Sequence, residues 1–325
     1  MPKAFAPGKC ILFGEHAVVY GHPAVAVAID SGVEVEILKS DSWTIDGSPL
    51  EIDRHPHISH ILKDIFQYEG EPLDIRISSG LFSTAGLGSS AALSNAMGAA
   101  LQAMVTGDHE LDKIALARIG HSAEAKAQNG RASPTDTATS ALGGCVVVSG
   151  KDIDGTTPIF STSLDTPEGT RTWSIGKVQI PDGIDAWLVL GFTGIASPTG
   201  DMVSGVAKLL QEEPEKIEEM NAIANITQAG LTALSSGNIE AVGMAMNACH
   251  DRLRNIHVSS PELEALVNAV RPHSLGAKLT GAGGGGCMVA LTTKPQRVAQ
   301  EIEIAGGKPL ISRLGAKGVR LVKPN

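Results

Sequence analysis

Residues 79–105 read SGLFSTAGLGSSAALSNAMGAALQAMV, and the fold turns on what lies either side of their glycines. Downstream, Leu93, Met97, Leu101 and Met104 recur at helical spacing, so GLGSSAAL (86–93) opens a helix. Upstream, LDIRIS (73–78) reads as a strand. Glycines let backbone approach a ligand closely, and the free N–H groups of a helix start favour an anion. Ser89 and Ser90 add hydroxyls able to bond a phosphate oxygen or a magnesium ion. The string also matches the dinucleotide pattern G-x-G-x-x-A. In that unit the glycines follow the strand directly, whereas here about eight residues separate Ile77 from Gly86 after a long β-rich region. The dinucleotide reading fails on context.

Working outward, AVAVAIDSGVEVEIL (24–38) reads as two strands around a turn at Ser31-Gly32. LDKIALARIGHSAEAKAQ (111–128) is helical up to Asn129-Gly130, and GGCVVVSG (143–150) contains a buried strand. The stretch from Lys151 to Asp185 is rich in Gly, Pro, Thr and Asp. A domain boundary near its end divides the chain into residues 1–180 and 181–325. The second half opens with the strand AWLVLGF (186–192), followed by helical patterns over 200–212, 214–236, 238–254 and 261–271. CMVAL (287–291) is a strand, QRVAQEIEIAGG (296–307) a helix and GVRLV (318–322) a closing strand. Strands and helices in separate batches predict an α+β fold rather than a doubly wound sheet.

Composition narrows the function. A chain of 325 residues suggests about two domains, and 42% hydrophobic content excludes wholesale disorder. A net charge of -9 argues against nucleic acid, and three Trp, two Tyr and six Phe are too few for a base-stacking platform. Cys10, Cys145, Cys249 and Cys287 are far apart and form no Cys-x-x-Cys pair, so each reads as a small buried hydrophobe in a reducing compartment. MPKAFAPGKC lacks a signal-peptide core, and no run reaches a membrane span. A cytoplasmic protein with no membrane or nucleic-acid partner is the expectation.

Three further segments bear chemistry. APGKCILFGEHAVVYG (6–21) presents Lys9 near a strand start and sets Glu15 and His16 in a polar interruption between apolar runs. GRASPTDTATSALGG (130–144) holds Asp136 among small residues, after Glu124 on the preceding helix. Taken singly, Lys9 could be a solvated charge and Asp136 a turn or cap residue. KLTGAGGGGCMVAL (278–291) has five glycines in six positions, a heavy entropic cost for a mere turn. It contains G-x-G-x-x-G, but a strand follows instead of a helix. Close approach to a ligand or to the other domain explains it better. No Walker A string occurs, so a nucleotide here is not held by a P-loop. HPHISH (55–60) crowds three histidines, yet no Cys or suitably spaced carboxylate completes a metal site, and Pro56 marks a solvated loop entering a helix.

Taken together, PGKCILFGEHAVVYG (7–21), GLGSSAAL (86–93), SPTDTATSALGG (133–144) and KLTGAGGGGC (278–287) resemble the galactokinase–homoserine kinase–mevalonate kinase–phosphomevalonate kinase (GHMP) superfamily. They occur in its order and span nearly the whole chain, and GEHAVVYG is similar to the archaeal mevalonate kinases within it. The resemblance implies a two-domain fold, N-terminal of ribosomal-protein-S5 type and C-terminal ferredoxin-like, with ATP and mevalonate in the cleft between. It implies Asp136 as catalytic aspartate and Lys9 as active-site lysine. Ser79, Thr84, Ala85, Gly86, Leu87, Gly88, Ser89 and Ser90 would contact ATP, and Ser90 and Glu124 would hold Mg2+. Glu15, His16, Thr199, Gly281 and Ala282 would lie on the substrate side. A homodimer is likewise implied. Three departures stand out: Phe82 and Thr84 replace the family's loop Pro and Gly, and His257 stands where relatives usually carry glycine.

Overall fold

A computed structural model of the chain describes residues 2–51, 54–130, 132–166 and 169–323. Strand β1 (Lys3–Phe13) pairs antiparallel with β2 (Ala24–Lys39), the spine of the first sheet. The first sheet also takes in β3 (Thr44–Ile45), β4 (Ser48–Pro49), β5 (Leu73–Ser79), β6 (Cys145–Ser149), β7 (Thr157–Thr166) and β8 (Gly169–Val178). Residues 24–38 are one strand, not two. β2 passes through Ser31-Gly32 without turning back, because it bulges there: residues 29–31 stand opposite Gly8 alone of β1, and the pairing resumes at Lys9 and Ala28. The far edge of β2 is shared by β6, along 24–27, and β5, along 33–39.

Three main helices cover this sheet. They are α2 (Ser89–Thr106), α3 (Lys113–Ala127) and α4 (Thr135–Leu142), preceded by a short turn, α1 (Pro56–Ser59), that runs on as a wider turn through His60–Ile65. Met97, Leu101, Leu116 and Ala96 bury against Val33, Val35 and Ile37 in one core. The helix α4 is made almost wholly of small residues, which lets it sit between α3 and β1 with Thr137, Ala138 and Thr139 fully buried.

The second sheet has the order β10-β11-β9-β12, all antiparallel, from β9 (Trp187–Phe192), β10 (Gly276–Thr280), β11 (Cys287–Thr292) and β12 (Lys308–Arg313). Its helices are α5 (Thr199–Glu212), α6 (Ile217–Ser236), α7 (Ile239–Asn255), α8 (Pro261–Val270) and α9 (Pro295–Ile304). The chain then returns: β13 (Arg320–Leu321) pairs with Ala4 and Phe5 of β1, so the last residues sit on the first sheet. All four cysteines are free and buried. Among the described residues no helix is long and apolar enough to cross a membrane.

Candidate active site

Lys9 owes its place to its neighbours in sequence. A Cβ on Gly8 would stand 2.9 Å from the Leu87 carbonyl and 2.8 Å from the Leu81 side chain, so only glycine lets the 82–88 loop close over β1 here. The Lys9 N–H donates to Leu87 O (2.9 Å). Its ammonium donates to Gly86 O (2.9 Å) and lies 3.2 Å from Asp136 Oδ1. Asp136 is in the first turn of α4, where the helix dipole favours a carboxylate, and 37% of its side chain remains accessible against 5% for Lys9.

The loop leads into the start of α2, whose N-cap is Gly88 and which has no side-chain cap. Its first-turn amides therefore remain available to an anion. The second domain closes the other side: Ser197 N–H donates to Thr84 O (3.0 Å), and Phe82 stacks on Phe192 at 5.2 Å. Phe82 thus serves as a bridge between domains. Thr84 adopts φ 55°, and His257 adopts φ 59°, both in the left-handed region. The two positions where the family usually has glycine are positions where the backbone asks for it. Gly281 and Gly283 to Gly286 all have positive φ as well, and Gly284 N–H donates to Val258 O (2.8 Å).

These elements enclose one cleft of about 660 Å³. Lys9, Glu15, His16, Thr84, Ala85, Gly86, Leu87, Gly88, Ser89, Ser90, Asp136, Thr199, Gly281 and Ala282 all line it. Ser79 does not; it ends β5, where its hydroxyl accepts the Leu81 N–H. Glu124 is behind the wall, in hydrogen-bond contact with Ser90. Glu15 touches the cleft, but the residue is only 2% exposed and its carboxylate pairs with fully buried Lys278 of β10. Burial pushes the Glu15 carboxyl up while Lys278 pulls it down. His16 Nε2 meets the Ala282 carbonyl at 2.9 Å. A carbonyl only accepts, so Nε2 carries the proton, and burial holds this imidazole below its ordinary value.

Two features were not foreseen. Lys278 is one, the one charge in a fully buried strand (that contrast was its only signal). The other is His57. HPHISH is not a solvated loop: residues 56–65 are helical and pack on α3, with His57 Nε2 buried 3.2 Å from Glu124 Oε1. The two atoms lie off the line of a hydrogen bond, so Glu124 Oε1 is a buried oxygen without a donor, while Gln128 holds Oε2 at 2.6 Å. Burial opposes ionisation of Glu124, but His57, Ser90 and Gln128 outweigh it and hold the carboxyl below its usual range. An ionised carboxylate with a spare oxygen beside a serine hydroxyl fits a hard, oxygen-seeking cation. Among the described residues no group of three or more His, Cys, Asp or Glu could hold a metal.

A crevice of this shape, with lysine, aspartate and an uncapped helix start converging, is that of a small-molecule kinase. The family models agree: residues 57–144 match the GHMP kinases N terminal domain and residues 231–308 the GHMP kinases C terminal domain. The mevalonate kinase of Pyrococcus furiosus is 31% identical over 98% of this chain and 97% of its own. That of Archaeoglobus fulgidus is 35% identical over 89% and 91%. The solved mevalonate kinase of Methanococcus jannaschii superposes with a TM-score of 0.75 at 25% identity, covering 99% of this chain and 98% of its own. The chain belongs to the GHMP kinases and has their two-domain α+β fold.

Proposed function

We propose that the chain transfers the γ-phosphoryl group of ATP to the 5-hydroxyl of (R)-mevalonate, with Mg2+. The observation that carries this is the Lys9–Asp136 contact of 3.2 Å beneath the start of α2. The relatives in sequence are mevalonate kinases over nearly full length. A solved relative from L. major was captured with R-mevalonate.

Phosphoryl transfer demands positioning and charge stabilisation more than covalent chemistry. The 84–90 loop and the α2 amides cradle the phosphates from one side, and Gly281 and Ala282 close the other. Asp136 accepts the proton of the attacking hydroxyl. Lys9 spends two of its three donors on Asp136 and Gly86 O, which leaves one for an oxygen gathering charge. Ser90 and Glu124 would hold Mg2+, which neutralises phosphate charge when bound. Residues 1–180 carry the nucleotide loop and 181–325 the facing wall, and the family expectation of a cytoplasmic homodimer extends to this chain. The test is ADP release with Mg2+, ATP and one acceptor at a time: mevalonate, phosphomevalonate, galactose or homoserine. Turnover with mevalonate is expected to exceed the others by at least ~10²-fold. Preference for another acceptor overturns the substrate assignment.

A further inference from the structure

Residues 278, 280 and 282 alternate along β10 and its continuation, and each bonds to segment 11–16 of the other domain. Lys278 Nζ donates to Glu15 Oε1. Thr280 Oγ1 accepts the Ile11 N–H (2.8 Å) and donates to the Ile11 carbonyl (3.0 Å). The Ala282 carbonyl takes the His16 Nε2 proton at 2.9 Å. Lys278 and Thr280, two apart on β10, turn their side chains to one face, and the Ala282 main-chain carbonyl just beyond the strand adds a third contact, so the second domain grips the end of β1 and the turn after it.

That turn needs a glycine at one position and strains a histidine at another. Gly14 has φ 91°, and a Cβ there would stand 2.2 Å from the Pro23 carbonyl. His16 has φ 60° and ψ −46°, a sparsely populated region for a residue with a Cβ. Glycine takes a positive φ freely, but the His16 conformation persists only where its surroundings over-determine it. Between the obligatory glycine and the strained histidine sits Glu15, with Cys249 Sγ 4.0 Å from its Oε2. Lys278 also donates to the Leu279 carbonyl (2.6 Å), so the cation is fixed from its own strand. A buried charge deprived of its partner is strongly unfavourable, which makes this pair the firmest tie on the turn.

We propose that Lys278 is a positioning residue: its buried ion pair with Glu15 clamps the 14–16 turn, aims His16 into the cleft, and thereby sets the affinity for the alcohol substrate. Only the choice of mevalonate as ligand rests on the functional reading above. Lys278 lies outside the cleft lining and acts through Glu15 and His16.

The test uses the full chain as Lys278→Met, Glu15→Gln and the double variant. Each single change strands one buried group, so its stability falls. The double variant removes both charges and is expected to recover most of that loss, since apolar replacement of a buried pair is often neutral. Positioning is not recovered. In the double variant, exchange of the amides of residues 15–19, read without ligand, is expected to quicken at least ~10-fold. KM for mevalonate is expected to rise at least ~10-fold while KM for ATP stays within ~3-fold, because misplacement of a substrate-side group falls on one ligand. Unchanged exchange overturns the clamp, and so does a parallel rise of both KM values, which means general loosening. If the double variant does not fold, Glu15→Gln is read by the same exchange. A wild-type chain that fails to phosphorylate mevalonate overturns the substrate reading alone, and the clamp is then decided by exchange.

Discussion

Lys9 and Asp136 are unequal partners: the ammonium is buried and the carboxylate is one-third open to the cleft. Losing the aspartate therefore strands a charge, whereas losing the lysine mainly removes a donor aimed at the reacting oxygens. Asp136→Asn keeps the shape and removes the base, so kcat is expected to fall at least ~10²-fold with KM for ATP changed little. Lys9→Met is expected to cost at least ~10²-fold in kcat as well. Steady-state kinetics decide both, and a wild-type kcat in Asp136→Asn disproves the base. Thr84 poses a different question. Its left-handed backbone costs a residue with a Cβ ~1–2 kcal/mol, against ~0.5–1 kcal/mol of chain entropy lost with glycine. Thr84→Gly is expected to leave the chain as stable as wild type or up to ~1 kcal/mol more so by urea unfolding, and a clear loss would show that its carbonyl contact to Ser197 depends on the threonine.

Gly230 of α6 lies against Phe13 at the end of β1, with a Cβ position only 2.5 Å from the buried ring. Helix propensity alone would favour alanine by ~1 kcal/mol, but overpacking a closed contact costs ~1–3 kcal/mol. The ring is fully buried and has no room to retreat, so Gly230→Ala is expected to destabilise by up to ~2 kcal/mol in urea unfolding, and stabilisation would refute the close packing. Elements of this kind explain what could and could not be read beforehand. The start of α2 and the 281–286 loop were legible because each departs from ordinary composition in a way only ligand or backbone contact accounts for. The strands β7 and β8 were not, since much of each is exposed and their half-buried positions are filled largely by Thr, Ser and Gly, which leaves little apolar pattern to read. β2 reads as two strands because a Ser-Gly pair normally turns a chain, whereas here it closes a bulge within one continuous strand. Lys278 and Glu15 are 263 residues apart, and His57 meets Glu124 only after α1 packs on α3. Pairings made by tertiary contact leave no local pattern.

Across the whole molecule, buried imidazoles link the fold to acidity. His121 sits in the first domain, His16 at the junction and His250 in the second, and burial lowers all three below the ordinary value of 6.5. His250 shows the mechanism most clearly. Its Nδ1 accepts the Leu279 N–H (3.2 Å), so it is unprotonated there, and Nε2 donates to Glu264 Oε1 (3.0 Å), which also accepts from Ser259, while Arg254 pairs with Oε2. Desolvation, with Lys278 and Arg271 nearby, outweighs the opposing pull of Glu264 and brings His250 to about 4. Between that value and 6.5 the unfolded chain binds a proton that the folded chain refuses. Folding stability therefore falls as pH drops through this window and is fully retained above 6.5. A shift from 6.5 to about 4 corresponds to ~3 kcal/mol in total, roughly 2 kcal/mol of it lost by pH 5. His16 and His121 add losses of the same sign, and the depressed Glu124 adds its own below its unfolded value of 4.5. The raised Glu15 carboxyl runs the other way, contributing stability that is lost as pH rises. Urea unfolding from pH 7.5 to 5 is expected to show a steady loss in wild type. His250→Gln can still accept from Leu279 and cannot titrate, so its slope should be shallower by about the His250 share. A slope equal to wild type would place the acid sensitivity elsewhere, whereas a flatter one assigns it to the corner where α7 meets β10, directly behind the Lys278 clamp.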